Sequence, residues 1–137
     1  MEGWMYAILA VVCWGIEAII VRGAGDGVDP ITGTGIGCVA AGIVFFIYLA
    51  LNGKLNSNIF NQSGLYYAIT GIISFAIGHY FYYTAINKAG VTLSVSLVGA
   101  YPLLTVILAW LIFGEPLTIR TGLGALMIVI GGMILLV

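Results

Sequence analysis

Five long apolar runs, over residues 4–22, 31–51, 65–86, 92–113 and 119–137, alternate with short polar stretches along the chain. Each run is close to the ~20 residues that a helix needs to cross a hydrocarbon core of about 30 Å. The pattern predicts about five transmembrane helices joined by short loops, an all-α integral membrane protein. A transmembrane β-barrel would instead show short segments of alternating polarity, and these runs are continuous. Asp29 followed by Pro30 reads as the start of the second helix, an acceptor side chain ahead of a residue with no N–H to satisfy. Thr118 is placed to cap the fifth helix in the same way. The stretches GAGDGVD and NGKLNSNIFNQS are loops rich in turn residues. The other two connections are too short for a soluble domain, so function must reside in the helices or their ends, and residues 1–137 read as one five-helix transmembrane domain.

Composition strengthens this reading. Of 137 residues 62% are hydrophobic and 7% charged, with a mean hydropathy of +1.18, more apolar surface than a globule of this size hides from water. Met1 and Glu2 provide no basic leader and no small-residue cleavage site closes the first run, so it is expected to remain as helix 1. Cys13 and Cys38 fall near the middle of their helices and read as small packing residues. No metal-ligand spacing, nucleophile elbow, phosphate-cradling loop or acidic cluster is present, which disfavours an enzyme and calls for no cofactor or metal. Four scattered basic residues exclude a nucleic-acid interface.

Orientation is balanced. Arg22 and Lys88 flank loops on one face of the membrane, Lys54 and Arg120 on the other, so the distribution of basic residues gives no preferred topology. Copies inserted both ways could pair as an antiparallel homodimer, producing an inverted-repeat arrangement from one short chain. Small residues recur at helical spacing, Gly33, Gly37 and Ala41 on helix 2 and Gly124 and Gly131 on helix 5, where they would permit close helix packing.

Against this apolar background Glu17 stands out. The eight Ile, Leu and Val residues from Ile8 to Val21 contribute roughly −2.4 to −4.8 kcal/mol to insertion, and a central acidic residue opposes them by roughly +2.5 to +3.5. So costly a group is expected to face the bundle interior or a watery cavity, where a carboxyl can bind and release a proton. His79 is the other isolated titratable residue. Counted from the helix centres, Glu17 and His79 lie about 6 and 5 Å from the midplane on the same side, a depth at which neighbouring helices 1 and 3 would let them share a proton. Tyr82 and Tyr83 follow His79 at i+3 and i+4, and Trp14 precedes Glu17 by three. A carboxylate with several aromatic rings suits an organic cation or an amine-bearing metabolite. Tyr66 and Tyr67 read as an interfacial belt, and Pro102 as a kink and hinge in helix 4, with Ser94 and Ser96 just before it.

Trp14-Gly15, the run from Tyr82 through TAINKAGVTLSVSLVGAYPLLTVILAWLIFGEPLT, and the closing GLGALMIVIGGMIL resemble an EamA-like domain of the drug/metabolite transporter superfamily over nearly the whole chain. The resemblance implies a five-helix repeat that members usually carry twice, in inverted orientation, with substrate held between the halves. A single repeat would then be a half-size transporter that must dimerise. The four-helix small multidrug resistance proteins look similar in strategy, exchanging protons for cations at a helix 1 glutamate in antiparallel dimers. EamA-like members often have an uncharged polar residue where Glu17 stands, so proton coupling here follows the smaller relatives. Glu115 resembles the family's end of helix 4 and, beside the start of helix 5, reads as structural.

The expected function is secondary transport, in the export direction, of a small organic solute such as an organic cation, amino acid or related metabolite. It would proceed by alternating access, with proton antiport through Glu17, in the plasma (inner) membrane of a prokaryote. The alternatives are an uncoupled metabolite facilitator, in which Glu17 does not titrate, and a non-transporting half of a hetero-oligomeric membrane complex.

Overall fold

A computed structural model describes residues 3–55 and 61–135. Met1 and Glu2, loop residues 56–60, and residues 136 and 137 at the end of the fifth apolar run lie outside the described residues. The described chain is all-helical, without strands. Helix α1 spans Gly3–Ala24, a 3-10 turn follows at Gly25–Gly27, and α2 spans Pro30–Leu51. The third span is composite: α3 at Gln62–Thr70, a π-helical stretch at Gly71–Gly78, and α4 at His79–Ala89. The fourth is α5 at Val91–Val98 and α6 at Tyr101–Phe113, and α7 at Ile119–Ile134 closes the order.

Four of these spans are long and apolar enough to cross a bilayer, at 20, 22, 28 and 23 residues, and α7 is a shorter apolar helix of 16. The chain is therefore a multi-pass integral membrane protein. Its large aliphatic side chains are mostly exposed, and among the described residues those that are buried are Ala18, Thr34, Ile86, Ser94 and Ala125. This inverts a water-soluble core for a stated reason: lipid tails are as apolar as leucine, so the contacts left for helices to make are the close ones through small residues. Polar groups are satisfied locally. Thr34 donates to the Pro30 carbonyl at 2.8 Å, Ser94 to Gly90 at 2.7 Å and Ser96 to Thr92 at 2.7 Å, each hydroxyl bonding back to its own helix.

The helix ends follow their capping chemistry. Asp29 accepts from the N–H groups of Ile31 and Thr32, both at 3.1 Å, with Pro30 beginning the helix. Thr118 accepts from Thr121 N–H at 3.2 Å. The third span is longer than its apolar stretch of 65–86, because the Asn61 side chain accepts from Gly64 N–H at 2.9 Å and starts the helix early. Gly90, at φ +84°, then ends it, a backbone conformation open to glycine.

The described chain divides into two compact units, one of residues up to Gly23 with those from Lys88 onward, the other running from Ala24 to Asn87. In the first, α7 packs on both α5 and α6. In the second, α2 packs on the π-helical stretch.

Two features depart from five uninterrupted helices. The span expected over 92–113 is two helices separated by a turn at Gly99–Ala100, and Pro102 stands in the first turn of α6. A proline there lacks only an N–H that helix starts leave unpaired, so the residue begins a helix instead of kinking one. The π-helical stretch is the other, a widening of the ladder that apolar periodicity does not encode.

Candidate functional site

Glu17 lies on the covered stripe of α1. Ala10, Glu17 and Val21 are half-buried and Ala18 is 1% exposed, a spacing of seven, one and three that marks a single helical face. The flanking Ile16, Ile19 and Ile20 are exposed and suited to lipid. The carboxylate is thus on the less exposed face of its helix. Trp14, one turn earlier, is more open at 54%.

In the other unit the structure gathers His79, Tyr82 and Tyr83, all half-buried. The His79 ring meets Tyr83 edge-on with centroids 5.7 Å apart and Tyr82 edge-on at 6.5 Å, and the two tyrosine rings are 6.1 Å apart. Phe75 completes the group, stacked on His79 with centroids at 5.7 Å and planes 22° apart. Sequence reasoning passed over Phe75, although it stands four residues before His79 and would share its face on an α-helix. Edge-to-face and stacked rings around one imidazole present both ring faces and ring edges, the surfaces that attract a cation or an aromatic solute.

The His79 ring is held from below. Its Nδ1 lies 2.9 Å from the carbonyl oxygen of Ser74, five residues back, in the π-helical stretch. From α2, the Cys38 thiol donates to the Phe75 carbonyl at 3.2 Å. Tyr66 and Tyr67, by contrast, are exposed at 64% and 80%, the setting of an interfacial belt.

The remaining residues divide by environment. Pro102 is half-buried at the α5–α6 break. Of the small residues expected at close contacts, Gly37 runs beside Tyr83, whose hydroxyl a β-carbon on Gly37 would meet at 3.9 Å. Gly33, Gly124 and Gly131 have nothing within 4 Å of such a carbon, and Ala41 is exposed. The close approach within the chain is at Gly132, against the Ser96 carbonyl. Glu115 follows Gly114, a left-handed cap at φ +66°, and its N–H reaches back to the Ala109 carbonyl at 3.4 Å, which marks its place as the end of α6.

Residues 1–137 match the EamA-like transporter family from end to end. The chain belongs to this family. An uncharacterized transporter of Archaeoglobus fulgidus is 25% identical over 124 residues, which are 90% of this chain and 44% of that protein. The EamA-like chain therefore spans less than half the length of this relative. No solved structure gives a significant match.

Proposed function

We propose that this EamA-like protein carries a small organic solute across its membrane by alternating access, with Glu17 binding a proton and a cationic solute in turn. The observation behind the reading is the position of Glu17, a carboxylate on the covered stripe of a 20-residue apolar span. If one carboxylate serves both ligands, each must leave before the other binds, and the outcome is exchange. Solute moves outward, from the inner membrane of a prokaryote, at the expense of an inward proton. The rings around His79 offer an apolar, cation-attracting surface of their own.

In this reading residues 1–137 act as one five-helix domain that works opposite a second such unit, a copy of the chain inserted the other way. The equal division of Arg22 and Lys88 against Lys54 and Arg120 supports both orientations. A relative more than twice as long supports a second half of similar size.

Proteoliposomes loaded with a quaternary ammonium or guanidinium-type cation provide the test. An imposed proton gradient should drive exchange in the native protein, and Glu17→Gln should abolish it while the purified oligomer keeps its size. Proton-driven exchange persisting unchanged in Glu17→Gln would refute the mechanism. A second reading, an uncoupled facilitator of amino acids or related metabolites, is favoured by the aromatic group alone; it requires uptake that survives Glu17→Gln and is lost when the rings around His79 are removed.

A further inference from the structure

The π-helical stretch alters who bonds to whom around His79. In an α-helix the His79 N–H would donate to the Phe75 carbonyl, four residues back. Here it is directed to the carbonyls of Ser74 and Ala76. Two consequences follow. The Ser74 oxygen also receives the His79 ring nitrogen at 2.9 Å. A carbonyl can only accept, so Nδ1 carries a proton. The Phe75 carbonyl, for its part, has lost the donor that an α-helical ladder would give it.

Helix α2 makes up the difference. The Cys38 thiol stands 3.2 Å from that same Phe75 oxygen, thirty-seven residues away in sequence. One residue earlier, the bare backbone of Gly37 runs alongside the Tyr83 hydroxyl. Consecutive residues of α2 thus face the aromatic group at both ends, Cys38 bonded to the backbone of Phe75 and Gly37 opposite the side chain of Tyr83.

We infer that Cys38 is a positioning residue for the aromatic group. By occupying the Phe75 carbonyl, its thiol holds the third span in the π-helical register. That register in turn sets the Ser74 carbonyl against the ring and keeps the imidazole proton on Nδ1. A thiol is a weak donor in water, but among apolar side chains nothing competes for the carbonyl and the bond has no solvated alternative. Without it, the carbonyl recaptures the His79 N–H, the ladder returns to α-helical spacing, and the Ser74 oxygen withdraws from the ring. The role of this geometry in transport rests on the solute-binding reading of the His79 group given above; the geometry itself does not.

The chain has one histidine, so the nitrogen NMR spectrum of protein labelled only at histidine, in lipid nanodiscs at mildly alkaline pH, reports His79 alone. Native protein should show a protonated Nδ1. Cys38→Ala and Cys38→Val, which remove the donor with and without loss of volume, should both move the proton onto Nε2 or divide the signal between tautomers. Cys38→Ser, which keeps a donor, should retain the native spectrum. A native spectrum in both Ala and Val overturns the inference, as does a shift confined to Ala, which would make Cys38 a space-filler, or a Ser spectrum matching Ala in a protein of native size. Uptake of tetramethylammonium by the same variants separates the two readings. Shifted nitrogen signals with unaltered uptake uphold the positioning role and remove the His79 group from the solute path.

Discussion

Gly132 of α7 passes so near Ser96 of α5 that a β-carbon on it would stand 2.9 Å from the Ser96 carbonyl oxygen. The obstacle is backbone, which cannot rotate aside. Gly132→Ala should therefore separate α7 from α5 at a cost of about 1–3 kcal/mol, as overpacked contacts do. The better helix propensity of alanine returns at most about 1 kcal/mol. Gly131→Ala, one residue away and with nothing within 4 Å, has no such obstacle inside the chain. Thermal unfolding in detergent should show a lower midpoint for Gly132→Ala than for Gly131→Ala; equal midpoints would mean that the helices part without penalty.

Asp29 makes the start of α2 sensitive to acid. Its carboxyl is held below its ordinary value of 3.8, first by the Thr32 side chain and then by backbone N–H groups of Thr32 and Ile31. A carboxyl with a depressed native pKa binds protons more readily unfolded than folded, so its contribution is complete above the unfolded value and is lost as pH falls through the lower, folded one. Between neutral pH and pH 5 the Asp29 contribution should be constant, so it adds no pH dependence to stability there. Below 3.8 the native protein should lose stability more steeply than Asp29→Asn, whose amide still accepts at the cap and does not titrate in this range.

The legible and the hidden parts of this molecule separate by physical cause. Spans show in sequence because a bilayer imposes a length on apolar runs, and caps such as Asp29 and Thr118 show because a side-chain oxygen next to a helix start has one dominant use. Tyr82 and Tyr83 fall beside His79 by α-helical arithmetic, which holds across α4. The π-helical register at Gly71–Gly78 left no such mark, since it depends on a donor, Cys38, brought from another helix. Gly124 and Gly131 share a face by count, yet the glycine against its neighbour is Gly132, because rotation of α7 is set by what α5 presents. The break at Gly99–Ala100 was half visible: the Pro102 signal was present, and its use as a helix start required a turn ahead of it.

The aromatic group makes a graded prediction. Leucine in place of Phe75 or Tyr83 keeps apolar volume and removes a ring face, and a desolvated cation–π contact is worth about 0.5–2 kcal/mol, or roughly 2- to 30-fold in affinity. Phe75→Leu and Tyr83→Leu should raise the half-saturating concentration of a quaternary ammonium solute within that range, while Tyr83→Phe, which keeps the ring, stays near the native value. The control is Tyr67→Leu, exposed at 80% at the start of the same span, which should leave solute affinity alone. Equal behaviour of Tyr83→Leu and Tyr67→Leu would assign the His79 group to packing.

Pro102 tests whether the divided fourth span is needed for movement. With no N–H, proline cannot bond the Val98 carbonyl; ahead of it Gly99 still makes an α-helical bond to Val95 at 2.8 Å, and Ala100 closes a shorter turn onto Leu97 at 3.1 Å. Both turn residues already have right-handed helical dihedrals, φ −57° and −79° with ψ near −10°. Restoring one N–H therefore removes the main obstacle to a continuous helix from Val91 to Phe113. Pro102→Ala should raise thermal stability and protect the amides of Gly99 and Ala100 from hydrogen exchange. If the turn is a hinge, maximal transport rate should fall while the half-saturating solute concentration holds, because the variant binds normally and changes conformation slowly. A stabilised, protected variant that transports at the native rate would show that the break serves packing alone, with Pro102 retained only to start α6.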